Sequence, residues 1–160
     1  MVIILMGVSG AGKTTVGRAL AEELGWRFAD GDDFHSTANV AKMHSGIPLT
    51  DEDRSPWLQS LRNAIAGYLA SGENVVLACS ALKASYRRFL LVDLQVKLVS
   101  LRGSLDLIAS RLGSRQGHYM SPHLLRSQFD TLEEPADGLT IDAGLPVAEI
   151  VKEIRAGLSV

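Results

Sequence analysis

Cysteine is almost absent from this chain. Cys79 stands alone among 160 residues, which excludes an intrachain disulfide framework and suits a reducing compartment. Near the end of an apolar run, it reads as a small buried residue rather than a reactive thiol. An excess of one charge is also missing. The 16 Lys and Arg against 18 Asp and Glu leave a net charge of −2, so nothing points to a nucleic acid or a membrane surface as partner. Long apolar runs are missing as well. Val2–Met6 leads straight into a glycine; it is too short for a signal-peptide core or a membrane span, and a cytoplasmic protein is expected. His35 and His44 have no metal-ligand spacing with other His or Cys, which argues against zinc. There is no internal repeat, low-complexity tract or linker. The length fits one domain over residues 1–160, with a substantial core.

What is present is a regular alternation. Short apolar runs at 2–6, 27–30, 74–79, 96–101 and 139–142 are expected as strands. Segments 15–24, 53–70, 83–91, 105–112, 122–132 and 147–158 have helical periodicity. Near-continuous apolar strands, interleaved with helices, imply an α/β fold in three layers, with a central five-stranded parallel sheet covered on both faces. Ligands of such sheets bind beyond the carboxyl ends of the strands. Those ends carry Asp30-Gly31-Asp32, Cys79-Ser80 and Arg102-Gly103. Two stretches, 32–54 and 113–120, are more polar than their neighbours. Both are candidates for mobile elements that close over substrates, the second as a lid.

Directly behind the first strand stands Gly7-Val8-Ser9-Gly10-Ala11-Gly12-Lys13-Thr14, a G-x-x-x-x-G-K-[ST] phosphate-binding loop. The glycines let backbone N–H groups curl inward onto an anion. Lys13 then reaches the β- and γ-phosphates of a nucleotide, and the Thr14 hydroxyl is placed to ligate Mg²⁺. The helix that follows directs its positive end at the same phosphates. Gly7, Gly10, Ala11, Gly12, Lys13, Thr14 and Thr15 are therefore the candidate nucleotide site. No Asp follows the third strand in the manner of a Walker-B carboxylate, so the metal must rest on Thr14, phosphates, water and Asp30.

Phosphoryl transfer to a small hydroxylated molecule needs a carboxylate near the attacking hydroxyl. Asp32 is the candidate, with Asp30 acting through a metal-bound water; a plain Asp-Gly-Asp-Asp turn is the competing description. His35 follows close by. Arg54 is the natural clamp for a substrate carboxylate, while Asp51 or Asp53 caps a helix beginning near Pro56. Trp57 either packs on a carbon chain or anchors that helix. Ser80 has the character of a cap for the next helix. Lys83 and Arg87, four residues apart, share a face at the acceptor cleft or form a solvated basic face. Arg111 and Arg115, flanking Gly113, suit a lid that brings positive charge to the transferring group. Arg111 alternatively stacks on an adenine ring. His118 is a further contact to the acceptor on closure.

Taken together, these residues resemble the gluconokinase family, the small phosphate-loop kind related to shikimate and nucleoside-monophosphate kinases. The resemblance rests on Asp30-Gly31-Asp32 with Phe34-His35, Lys42-Met43, Asp53-Arg54 with Pro56-Trp57-Leu58, Cys79-Ser80-Ala81-Leu82-Lys83 with Tyr86-Arg87, Gly117-His118, and Leu132-Glu133-Glu134-Pro135. It runs essentially the full length. It implies ATP- and Mg²⁺-dependent phosphorylation of D-gluconate at its 6-hydroxyl, with Asp32, His35, Arg54, Lys83 and His118 around the sugar acid and Arg111 and Arg115 serving the lid. It also implies a homodimer. The alternatives are a shikimate-like or adenylylsulfate-like kinase, or a nucleotide-binding regulatory module without catalysis.

Overall fold

In the computed structural model, residues 1–114 and 121–160 are described. The first strand, β1 (Val2–Met6), is buried along its whole length, and its alternation separates two cores. Ile3 and Leu5 face one way, against Val16 and Leu20 of helix α1 (Lys13–Leu24) and Ile150 and Ile154 of helix α7 (Val147–Leu158). Val2, Ile4 and Met6 face the other, against Leu61 and Ile65 of helix α3 (Asp51–Ala70) and Leu90 of helix α4 (Ala84–Leu90). A strand that is apolar at every position has no solvent face to offer, so helices must cover both sides. Three layers result.

The remaining strands are β2 (Arg27–Asp30), β3 (Val75–Ala78), β4 (Val96–Arg102) and β5 (Leu139–Asp142). They assemble in the order β2-β3-β1-β4-β5, and every pairing is parallel. The registers Leu5↔Ala78 and Asp30↔Ala78 bring the carboxyl ends of β1, β2 and β3 level. That edge is where the phosphate-loop sequence and both aspartates emerge. Helix α5 (Leu105–Ser114) follows β4, and helix α6 (Pro122–Thr131) precedes β5.

Three sequence-based expectations are corrected. The polar stretch after β2 carries a helix absent from those expected: a 3₁₀ turn at Gly31–Phe34 leads into helix α2 (Thr37–His44), capped by the Ser36 hydroxyl. Helix α3 begins at Asp51 rather than near Pro56, and neither Asp51 nor Asp53 is its N-cap. Thr50 takes that position, accepting from the Asp53 backbone N–H while the Asp53 carboxylate accepts from the Thr50 N–H, a reciprocal capping box. Pro56 sits in the second turn, where the carbonyl it leaves unpaired belongs to the exposed first turn. Ser80 does not cap α4 either. The chain bends through a left-handed residue, Ala81 (φ 44°), and the cap position falls on Lys83.

Candidate functional site

The loop after β1 is built to leave donors exposed at its centre. Helix α1 starts on Gly12, whose φ of 98° lies in the left-handed region open to glycine, and Gly12 brings no side-chain cap. No carboxylate lies in the first turn of α1. The positive end of α1 is thus kept for an external anion. Lys13 curls back over the loop, its Nζ donating to the Gly7 and Val8 carbonyls at 2.9 and 3.0 Å. Gln128 of α6 clasps the opposite rim, accepting from the Ser9 N–H at 2.7 Å and donating to the Ser9 hydroxyl at 3.2 Å.

Asp30, at the end of β2, faces this loop. The Thr14 hydroxyl donates to Asp30 Oδ2 at 3.3 Å, while Asp30 Oδ1 accepts from the Asp32 backbone N–H at 3.0 Å. The turn between the two aspartates depends on close packing: a side chain at Gly31 would place its Cβ 2.7 Å from the Ala78 carbonyl oxygen. Asp32 itself is exposed by surface area. Crowding by protein raises its pKa above the ordinary carboxylate value; the charges of Asp30 and Asp33 add to the rise, and Lys13 opposes it. The charges of Lys13 and Asp30 therefore both bear on the Asp32 carboxyl.

Helix α3 supplies the facing wall. Trp57 is buried, its Nε1–H donating to the Gly31 carbonyl at 2.7 Å, and its ring stacks on His35 at 4.3 Å with a 9° interplanar angle. Of the two roles open to Trp57, this is the anchoring one: it fixes the Asp32 turn and supports the His35 ring. Burial, then the positive charge of Arg54, lowers the His35 pKa to about 4, so this imidazole is neutral near pH 7. One turn before Trp57, Arg54 donates to the Tyr86 hydroxyl at 3.3 Å, with its guanidinium 5.7 Å from that ring.

The basic residues after β3 divide. Lys83 lies at the cleft beside Arg54, but it is paired, its Nζ lying 2.8 and 3.0 Å from the two Asp51 carboxylate oxygens. The Tyr86 hydroxyl donates to the same carboxylate. These contacts, Lys83 first, hold Asp51 below its usual pKa. Arg87 corrects the expectation of a shared face. It is buried and points into the protein, where Nη1 donates to the Ala81 and Leu82 carbonyls at 2.9 Å each and Nη2 to the Glu133 carbonyl at 2.8 Å. Lys83 is an extended cap residue, outside the helix, so four-residue spacing does not align it with Arg87. Arg87 holds the Ala81 bend in place rather than lining the cleft.

On the other side of the loop, Gly10, Ala11, Gly12, Thr15, Arg111 and Ala143 surround an open cavity of about 260 Å³, with Leu145, Val147 and Ile150 behind them. Arg111 donates to the Ala143 carbonyl, which sets its guanidinium along this wall. Arg115 and His118, with most of the expected 113–120 lid, lie outside the described residues. Among the described residues, no cluster of three or more His, Cys, Asp or Glu is arranged to hold a metal ion, and no helix is long and apolar enough to cross a membrane. The sequence reading missed Asn39, Asp51 and Tyr86 as members of the site. Ser36 three residues before Asn39 was the signal for the first; nothing in the sequence announces the Asp51–Lys83 pair, which joins α3 to the bend before α4.

A family profile described as "AAA domain" matches residues 2–137. A probable gluconokinase from Rattus norvegicus is 46% identical, the match covering 91% of this chain and 91% of that protein. The thermoresistant gluconokinase of Escherichia coli is 40% identical, over 98% of this chain and 94% of that one. The crystal structure of a gluconokinase from Sinorhizobium meliloti superposes with a TM-score of 0.87 at 47% identity, covering 98% of this chain and 90% of that one.

Proposed function

This chain belongs to the gluconokinase family, and we propose that it transfers the γ-phosphoryl group of ATP to the 6-hydroxyl of D-gluconate, giving 6-phospho-D-gluconate and ADP. One observation carries the reading: beside a phosphate loop with an uncapped helix terminus stands Asp32, a carboxylate with a raised pKa that feels the Lys13 charge, and His35, three residues on, feels the charge of Arg54. A nucleotide-only switch has no use for the second half of that arrangement.

The loop amides and the start of α1 grip the β- and γ-phosphates, and Lys13 exchanges its carbonyl contacts for the γ-phosphoryl oxygens. The cavity beside Arg111 and Ala143 receives the adenosine end. Thr14 and Asp30, 3.3 Å apart at the loop's end, would hold Mg²⁺. Among the described residues no group of three or more His, Cys, Asp or Glu is arranged to hold a metal, so the donor set suits an ion that keeps its waters and takes its other ligands from substrate phosphates. When bound, Mg²⁺ would neutralise charge on the β- and γ-phosphate groups. Asp32 orients the 6-hydroxyl in line with the γ-phosphorus and accepts its proton, and its raised pKa keeps it basic enough for that task. Neutral His35 donates to a hydroxyl of the chain. Arg54 and Lys83 attract the carboxylate at the other end, which competes with Asp51 for Lys83. Arg111 serves the nucleotide side.

The test is ADP formation by the purified protein with ATP, Mg²⁺ and each of D-gluconate, shikimate and adenylylsulfate. Turnover with gluconate alone is expected. Turnover with another acceptor but not gluconate, or ATP binding without acceptor-dependent ADP release, would overturn the proposal.

A further inference from the structure

Asn39 is one buried polar side chain the mechanism leaves without a role; on α2 it is only 6% exposed. Its carboxamide nitrogen is engaged on two sides. Nδ2 donates to the Asp53 carbonyl at 2.8 Å and lies 3.3 Å from His35 Nδ1. The amide has one acceptable orientation, since turning it over would set Oδ1 against the Asp53 carbonyl, acceptor against acceptor. That carbonyl is itself immobilised. Asp53 is the third residue of α3, locked in the capping box with Thr50, and its carboxylate is held by Lys42 at 2.9 and 3.0 Å.

The consequence reaches His35. One Nδ2 hydrogen goes to the Asp53 carbonyl and the other points at the imidazole, so Nδ1 must present a lone pair. The ring proton then sits on Nε2, at the opposite edge. The Trp57 ring, stacked on His35, fixes the plane in which that N–H points. Protonating Nδ1 would drive two N–H groups together. The other charged group bearing on this ring, Arg54 of α3, and the burial of His35 act in the same direction.

We propose that Asn39 is a positioning residue, one that fixes His35 as a neutral imidazole whose Nε2–H donates to a hydroxyl of the polyol acceptor. The chain of control runs from Thr50 through Asp53 and Asn39 to His35, so the cap of α3 sets the hydrogen-bond polarity of the acceptor pocket. This rests on the placement of His35 in the acceptor site. A neutral donor suits a hydroxyl oxygen, and unlike an imidazolium it does not draw a phosphate into the acceptor's place.

The test is a two-bond ¹H–¹⁵N correlation spectrum of the full-length protein at pH 7, with His35→Gln assigning the signals. A protonated Nε2 and a bare Nδ1 are expected. Asn39→Asp places an acceptor opposite Nδ1 and should move the proton there or leave both nitrogens protonated. Asn39→Ala makes less demand on folding; it should pull both nitrogens toward averaged values. The same variant should raise KM for gluconate by about threefold to tenfold, the value of one hydrogen bond, with KM for ATP within about twofold. A wild-type protein protonated on Nδ1, or a folded Asn39→Ala protein with an unchanged nitrogen pattern, would overturn the proposal. A changed pattern with unchanged KM for gluconate would remove the His35–acceptor contact; the gluconokinase reading itself stands or falls separately, on the acceptor panel.

Discussion

Replacing Arg87 with Met separates a structural arginine from a substrate-binding one. The guanidinium makes three hydrogen bonds to carbonyls, at 2.9, 2.9 and 2.8 Å, two of them buried. Bonds from a charged donor contribute about 1.5–3 kcal/mol each, though not additively. Burial already pulls the Arg87 pKa down, with Glu133 and Glu134 opposing, so part of the gain offsets desolvation. Water regains access to the Glu133 carbonyl in the variant, because that bond is only partly buried. A net loss of about 3 kcal/mol follows, on the scale of removing one partner from a buried charged contact. For a chain of this size that is a fall in Tm of roughly 6–12 °C. The Ala81 bend (φ 44°) adds to the loss, since a left-handed alanine persists only where its surroundings hold it. Thermal unfolding followed by circular dichroism reads the effect, and steady-state kinetics at low temperature reads the site. KM for gluconate should change much less than for a variant at Arg54. An Arg87→Met protein with native Tm and a large rise in KM for gluconate would refute the structural assignment.

Asp32→Asn should lower kcat by about 10²–10⁴-fold with little change in KM for ATP, and acceptor-dependent kinetics check this. The same variant should be more stable at pH 7. A carboxylate with a raised folded-state pKa adds stability only below its unfolded pKa, and that stability is lost as pH rises through the folded value. The acid limb of kcat/KM should accordingly lie above the ordinary carboxylate value, and a limb at or below it would contradict the assignment. Arg54→Ala should raise KM for gluconate by roughly tenfold to a hundredfold while sparing KM for ATP, the loss of one charge-assisted contact. Cys79 is fully enclosed, and burial pushes its thiol up to about 12. An aromatic disulfide reagent should therefore label it only after denaturation; labelling of the native protein would show that the end of β3 opens.

The sheet was readable in the sequence because β1 and β3 are unbroken apolar runs and the other strands, which carry polar residues, fall as short apolar-rich stretches between helical segments, and the phosphate loop because its residue types are dictated by backbone approach to an anion. Elements whose formation depends on partners far along the chain were not readable. Helix α2 has a single buried residue, Asn39, and no apolar stripe to reveal it; it is tied down by the Lys42–Asp53 pair and by Asn39 bonding to α3. Pro56 drew the start of α3 too far along the chain, although Thr50 and Asp53 already spell a capping box. Lys83 and Arg87 seemed to share a face because helical spacing was assumed across a residue that is not helical. The position of Asp30 and Asp32 at the carboxyl end of β2 was legible from the strand pattern; the roles of these residues, and of His35 and Arg54, belong to the proposed function. The pairing of Asp51 with Lys83 was not, because it depends on how α3 lies against α4.

The position of the transferred phosphate tests the central claim most directly. Purified protein, ATP, Mg²⁺ and D-gluconate should yield a phosphomonoester whose ³¹P signal couples to the two protons on C6, with one ADP formed per ester. Coupling to a single carbon-bound proton, placing the phosphate on a secondary hydroxyl, or ADP formed without any gluconate ester, would contradict the account.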